Sequence, residues 1–263
     1  MGVVNVTPDS FSDGGLFLDA EAAIAHGREL GEQGAEILDV GGESTRPGAE
    51  AVSAEEEASR VVPVISGLAG TATVSVDTSK VEVAAVALDA GASIVNDVTA
   101  LRRAPEIGGL CAERGAGLVL MHMQGDPRTM QEDPAYEDVV DDVKAFLAER
   151  LEIAVGAGVD EERIWLDPGI GFGKTLEHNL ELLRRLGELR ELGRPLVVGT
   201  SRKSFIGKID GSQVGDRLGG TIASSVLAMA EGADVLRVHD VAEAAQALRV
   251  AGTILGYSAA RPA

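Results

Sequence analysis

The sequence predicts an α/β chain folded as a closed (β/α)8 TIM barrel, read as a single domain over residues 1–263. Three observations predict it. Eight short apolar runs recur along the chain, stretches rich in Ala, Leu and Glu separate them, and nearly every run ends in a polar or charged residue. Strands covered on both faces read as continuous apolar runs, and parallel strands need helical crossovers to connect them. In such a barrel the strand C-termini gather at one mouth, so the polar run-ends mark where chemistry belongs.

The first run is Val3-Val4-Asn5, followed by a long connection over residues 5–18 and by Ala20, Ala23, Ile24, Gly27 and Leu30 at helical spacing. The second, Ile37-Leu38-Asp39, leads into another long connection, residues 41–53, which carries Gly41, Gly42, Pro47 and Gly48. Val74-Ser75-Val76-Asp77 and Ile94-Val95-Asn96 are the third and fourth. Leu118-Val119-Leu120-Met121-His122 is the fifth and precedes the helical stripe Val139, Val140, Val143, Phe146, Leu147 and Leu151. Ile164-Trp165-Leu166-Asp167 is the sixth, Leu196-Val197-Val198 the seventh, and Val235-Leu236-Arg237-Val238-His239 the eighth. Gly34-Ala35, Gly91-Ala92, Gly115-Ala116 and Gly232-Ala233 each precede a run. Glycine there suits the left-handed residue that ends a helix. The two long connections follow strands, so both are expected to overhang the mouth as lids.

Composition narrows the function. Hydrophobic residues make up 45% of the 263, enough for a sizeable core, while aromatics are only 3%. The net charge of −19 argues against nucleic acid and anionic membranes as partners, because both are held by clustered Lys and Arg. A lone cysteine, Cys111, excludes an intramolecular disulfide and any multi-cysteine metal site. There is no secretory signal and no apolar run long enough to span a membrane, so a soluble, cytoplasmic protein is expected.

The Gly-rich stretch Asp167 to Thr175 invites a phosphate-loop reading and fails it. Pro168 stands where the Walker pattern needs glycine, and Lys174 where a dinucleotide fingerprint would need its third glycine. A βα loop whose backbone passes close to a ligand fits better. Asp77, Asn96 and Asp167 could each be a helix cap or turn residue. Coming from strands three, four and six of one barrel, they can instead surround a flat heterocycle and accept its N–H groups. Thr200-Ser201-Arg202-Lys203-Ser204 follows strand seven, near where these barrels often bind phosphate. Arg237 and His239 alternate around Val238 and can face one side. With Arg46 they bring cations to one mouth of an acidic protein, which implies an anionic substrate. Asn5 reads equally as a turn residue or as one ligand to a Mg2+ that binds mostly water and phosphate oxygens.

Taken together, these motifs resemble those of the dihydropteroate synthase family of pterin-binding enzymes. MGVVNVTPDSFSDGG over residues 1–15 is similar to the family's first signature and GGESTRPGA over 41–49 to its second. DTSK (77–80), ND (96–97), MH (121–122), DPGIG (167–171), SRKS (201–204) and RVHD (237–240) follow in family order. The chief departure expected from the resemblance is at the start: Met1-Gly2 enter the first strand at once, without the N-terminal strand or hairpin that members usually place before it.

The resemblance implies a transferase that joins the methyl carbon of (7,8-dihydropterin-6-yl)methyl diphosphate to 4-aminobenzoate (p-aminobenzoate), releasing pyrophosphate and 7,8-dihydropteroate. It implies Asp77, Asn96, Asp167 and Lys203 as pterin ligands, with Arg237 packed against the ring, and Asp77, Lys203 and Arg237 as the catalytic set. Thr45, Arg237 and His239 would contact the diphosphate, with Arg46 as helper, and Asn5 would hold Mg2+, the expected cofactor. Phe11, Thr45, Pro47, Lys203 and Ser204 would shape the p-aminobenzoate site, where sulfonamides compete. A homodimer is expected through helices near the C-terminus, with the Ala-rich stretch 223–230 serving either that contact or barrel packing. Two other readings stand beside this one: a methyltransferase module using methyltetrahydrofolate, and a pterin-binding paralogue without turnover. The SRKS run and the long second lid argue against the former, whose chemistry has no diphosphate to expel.

Overall fold

Strand and helix alternate through the computed structural model, which describes residues 1–6, 16–44, 51–125 and 129–257, the side chains of 16–19 excepted. β1 (Gly2–Asn5), β2 (Ile37–Gly41), β3 (Thr73–Asp77), β4 (Ile94–Asp97), β5 (Gly117–Met121) and β6 (Ile164–Asp167) form one parallel sheet in chain order. β7 (Val197–Val198) and β8 (Val235–Leu236) form a parallel pair. Single parallel bridges connect the two sheets, Leu166 with Leu196 at one seam and Gly2 with Val238 at the other. At the second seam Val3 N donates to Val238 O (3.0 Å) and Val238 N to Met1 O (2.9 Å). Strand contact thus passes around all eight strands, broadly across the first six and thinly at the seams. The eighth run is shorter as a strand than its sequence implies: β8 ends at Leu236, and Arg237 and His239 lie beyond it.

The helices are α1 (Leu16–Glu32), α2 (Ala54–Leu68), α3 (Val81–Asp89), α4 (Glu106–Arg114), α5 (Val139–Gly156), α6 (Leu176–Arg184), α7 (Ser204–Asp210), α8 (Leu218–Ala230) and α9 (Val241–Ile254). Local chemistry starts several of them. The Ser53 side chain accepts from Glu56 N ahead of α2, Asp138 accepts from Val140 N and Asp141 N ahead of α5, and Thr175 and His178 form a capping box on α6. Gly34, Gly91, Gly115 and Gly232 all have positive φ, the left-handed conformation expected of them between helix and strand.

Period-two alternation divides the strands between two environments. Leu38, Val40, Val74, Val76, Val95, Leu118, Leu120, Ile164, Leu166, Leu196 and Val198 belong to the main core they share with helix residues such as Val61, Ile65, Val140, Val143 and Leu147. A separate cluster, Ile37, Ile94, Val119, Trp165, Val197 and Val235, takes residues of alternate parity from six strands and fills the barrel. Two residues further along β2, β4, β6 and the end of β8, the same inward parity brings up Asp39, Asn96, Asp167 and Arg237. An apolar floor therefore supports a polar layer at the strand C-termini.

Candidate active site

Register alone assembles the first part of the site. Asn5 pairs with Gly41, Gly41 with Asp77, and Asp77 with Asn96, so one row crosses four strands at their C-terminal ends. The cavity above this row is lined by Asp77, Asn96, Met121, Asp167, Gly169, Phe172, Ser201, Lys203, Arg237 and His239, among others, and encloses about 470 Å3 of empty space including its open mouth. Of the residues anticipated from sequence, Asp77, Asn96, Asp167, Lys203, Arg237 and His239 meet here. Neither aspartate caps a helix, since α3 begins behind Lys80 and α6 behind Thr175.

Arg237 is the hub of the polar layer. Its Nε donates to Asp39 Oδ2 (2.7 Å) and its Nη2 to Asp77 Oδ2 (2.9 Å), so carboxylates from β2 and β3 fix the guanidinium plane. Those carboxylates hold its pKa above the ordinary arginine range despite burial. Asn96 Nδ2 donates to the same Asp39 oxygen (3.1 Å). Burial pushes Asp77 up to about 7, against the pull of Arg237. Asp167 is also raised by burial, opposed by a hydrogen bond from Gly169 N to its Oδ1 (2.7 Å) and by Lys203. Burial lowers Lys203 to about 8, partly offset by Asp167. Its ammonium stands 4.0 Å from the centroid of the Phe172 ring, a cation–π distance.

The basic run after β7 splits by direction. Ser201 and Lys203 line the cavity, whereas Arg202 pairs outside it with Asp240 and Thr200 is buried against Ser225. Ser204, expected in the p-aminobenzoate site, is exposed at the first position of α7 and does not line the cavity. His239 is lowered to about 4 by burial and by the nearby arginines, so it enters the site as a neutral ring rather than as a further cation. Ser201 Oγ accepts from His239 N (3.2 Å) and lies 3.0 Å from its Nδ1. When the hydroxyl donates to Nδ1, Nε2 is the protonated nitrogen and can donate into the cavity. Phe11, Thr45, Arg46 and Pro47, assigned to the lids, lie outside the described residues.

Comparison with known proteins supplies the context for this geometry. A profile described as "Pterin binding enzyme" matches residues 1–239. A dihydropteroate synthase of Synechocystis sp. is 48% identical over 257 residues, covering 97% of this chain and 89% of the relative. The chain belongs to the pterin-binding dihydropteroate synthase family. Among solved structures of that family, the Xanthomonas albilineans dihydropteroate synthase with 4-aminobenzoic acid is similar with a TM-score of 0.91 at 48% identity, over 100% of this chain and 93% of that one. The same organism's enzyme with 7,8-dihydropteroate gives 0.88 at 46%, over 100% and 94%.

Against the family's chemistry, the metal question rests on Asn5. No cluster of three or more His, Cys, Asp or Glu able to hold a metal occurs among the described residues. Asn5 offers one amide oxygen at the end of β1, on the row that carries Asp77 and Asn96. This donor set fits a hard ion that takes most of its ligands from water and phosphate, and does not fit a resident site made of protein groups.

Sequence reasoning for this family member passed over several groups. In the sequence Asp39 is only the end of a run; its parity with Gly41 places it inside the barrel, fully buried. Phe172 was hidden in a stretch read as glycines, although an aromatic in a chain with so few is itself a signal. Lys174, 2% exposed, lies with its Nζ 2.8 Å from His122 Nδ1 and donates to Phe172 O (3.0 Å), which ties the loop that carries Phe172 to β5.

Proposed function

We propose that this chain is a dihydropteroate synthase: it condenses (7,8-dihydropterin-6-yl)methyl diphosphate with 4-aminobenzoate to 7,8-dihydropteroate and pyrophosphate. The observation that carries the reading is the convergence of three acceptor side chains and two cations from five different strand ends on one cavity. Asp77, Asn96 and Asp167 accept from the donor-rich edge of the pterin, and Lys203 donates to its acceptor edge. Phe172 and Arg237 present flat faces beside it. The buried carboxylates favour positive charge growing on the pterin methylene as the C–O bond to the diphosphate breaks. The departing anion is met by Arg237 and by the Nε2–H of neutral His239, a donor that needs no proton exchange in the physiological range. Mg2+, held by Asn5 together with diphosphate oxygens and water, would supply Lewis-acid stabilisation of that leaving group. The arylamine nucleophile is already uncharged at pH 7, so no strong general base is required. We assign Phe11, Thr45 and Pro47, with Lys203, to the 4-aminobenzoate side, Ser204 serving it only from outside the cavity lining, and Thr45 with Arg46 to the diphosphate.

The test is product formation from both substrates, with and without Mg2+. Wild-type protein should make 7,8-dihydropteroate, and Asp77→Ala and Lys203→Ala should each lose at least about a hundredfold in kcat/KM with the fold intact. Near-normal turnover in both variants would refute the assignment. Wild type that binds the pterin without turnover would point instead to an inactive paralogue.

We also infer a homodimer through α8 and α9. Leu227, Val250 and Ile254 are 62%, 56% and 78% exposed on these packed helices, whereas the small residues Ser224, Ser225 and Ala228 of α8 face inward. Exposed apolar residues of this size on two neighbouring helices suit a contact surface. Ile254→Glu should convert a dimer to a monomer in sedimentation equilibrium; an unchanged mass would exclude this face. No described helix is long and apolar enough to cross a membrane. We place the enzyme in the cytoplasm, where an unpaired cysteine such as buried Cys111 stays reduced.

A further inference from the structure

The strongest unassigned feature is Asp39, completely buried on β2 beneath the cavity. One of its oxygens, Oδ2, accepts from both Asn96 Nδ2 (3.1 Å) and Arg237 Nε (2.7 Å). The other, Oδ1, is buried without a partner among the described residues. Asn96 is an ambivalent group, since its amide can offer either an oxygen or an NH2 depending on which way it turns. Committing Nδ2 to the floor leaves Oδ1 as the end available to the cavity. That oxygen has no partner among the described residues and is not among the buried unsatisfied atoms, so it remains accessible to a ligand. Arg237 is held by the same atom from below and by Asp77 from the side.

We propose that Asp39 is a positioning residue that sets the polarity of the pterin site: by accepting from Asn96 and Arg237 through one oxygen, it makes Asn96 present an acceptor to the ring and holds the guanidinium in its plane. Asp39 does not line the cavity; it acts through the two residues that do. The inference deepens the pterin-binding reading and rests on it. A ring that presents N–H to Asn96 is accepted, whereas one that presents an acceptor there meets a lone pair that cannot rotate away.

The experiment is calorimetric binding of 6-hydroxymethyl-7,8-dihydropterin to wild type, Asp39→Leu and Asp39→Asn. Leucine is similar in size and removes the acceptor; asparagine keeps an oxygen where Oδ2 stands, removes the charge and puts an NH2 where the unpartnered Oδ1 stands. Asp39→Leu should weaken binding by about tenfold to a hundredfold, the effect of leaving polar partners unsatisfied. Asp39→Asn should recover it to within about threefold of wild type. A parallel series of ring analogues, each with one N–H replaced by an acceptor atom, reads selectivity. The analogue altered opposite Asn96 should be rejected by wild type and by Asp39→Asn, and that rejection should shrink at least about tenfold in Asp39→Leu. General loosening of the fold would weaken all analogues alike.

Equal weakening by Leu and Asn would make Asp39 a source of charge and overturn the proposal, as would wild-type affinity and selectivity in Asp39→Leu. If wild type binds no pterin at all, the function itself fails, a result distinct from both. Should the leucine variant not fold, NMR of the unmutated protein decides. The Asn96 side-chain amide protons, assigned by their loss in Asn96→Ser, should include one that is hydrogen-bonded and slowly exchanging and that stays so when the pterin is added. Transfer of that proton's bond to the ligand would overturn the proposal.

Discussion

Lys80→Met removes one cation from a place where two carboxylates depend on it. Lys80 closes the DTSK segment after β3, and its ammonium pairs with Glu57 on α2 and with Glu43 Oε2 at 2.6 Å. The side chains of Lys80, Glu57 and Glu43 are 9%, 1% and 18% exposed. Glu43 Oε1 in turn accepts from Val52 N (3.1 Å), so the same cation anchors both stems of the connection that leaves β2. Methionine preserves length and packing but leaves Glu57 with two unpaired oxygens, because its Oε1 already lacks a partner among the described residues.

Removing one member of a buried ion pair costs about 3–5 kcal/mol, most of it the uncompensated charge left behind. At about 2.1 cal/mol/K of unfolding entropy per residue, a chain of this length loses about 2 °C for each kcal/mol, so Tm should fall by about 5–9 °C. Urea unfolding followed by circular dichroism gives the free energy directly, with an unchanged slope showing that the same surface unfolds. The double variant Lys80→Met/Glu57→Leu should recover most of the loss, since the stranded carboxylate is gone and Glu43 keeps access to water. A single variant within about 1 kcal/mol of wild type, or a double variant no better than the single, would refute the argument that Lys80 is there to hold Glu57.

Two further outcomes follow from the cavity itself. A Cβ added at Gly169 would lie 1.9 Å from His122 O, at a φ of +66° that strains any L side chain. Because Gly169 N is bonded to Asp167, Gly169→Ala should displace that carboxylate and lower kcat/KM for the pterin substrate by about tenfold or more; activity within twofold of wild type would contradict the packing described. Asp77 must be ionised to accept from the ring and Lys203 protonated to donate to it. With the first raised to about 7 and the second lowered to about 8, efficiency should climb as pH rises through about 7 and fall above about 8. A flat profile across that range, or one unaltered in Asp77→Asn, would show that these two groups do not control binding.

How much of this was legible in the sequence follows from the range of the interactions involved. Eight apolar runs found their strands because burial on two faces leaves a local mark, and the four Gly-Ala junctions found their left-handed turns for the same reason. The cavity residues were legible because strand-end position is itself a local property: Asp77, Asn96, Asp167 and Arg237 each stand at or just past the last residue of a run. Direction was harder. Alternation across Thr200 to Ser204 sends Ser201 and Lys203 inward and Arg202 outward, which a run of cations read as one patch conceals. The charge state of His239 was harder still, since it depends on its burial and on Arg237 and Arg202 converging in space. Asp39 marks the limit. Its partners lie 57 and 198 residues away, and nothing near it in sequence distinguishes a carboxylate that ends a strand from one that supports the residues beside it. First contacts with a ligand tend to be written at the ends of elements, whereas the atoms that orient those contacts are written one turn of the pleat below, in positions that pattern assigns to the core.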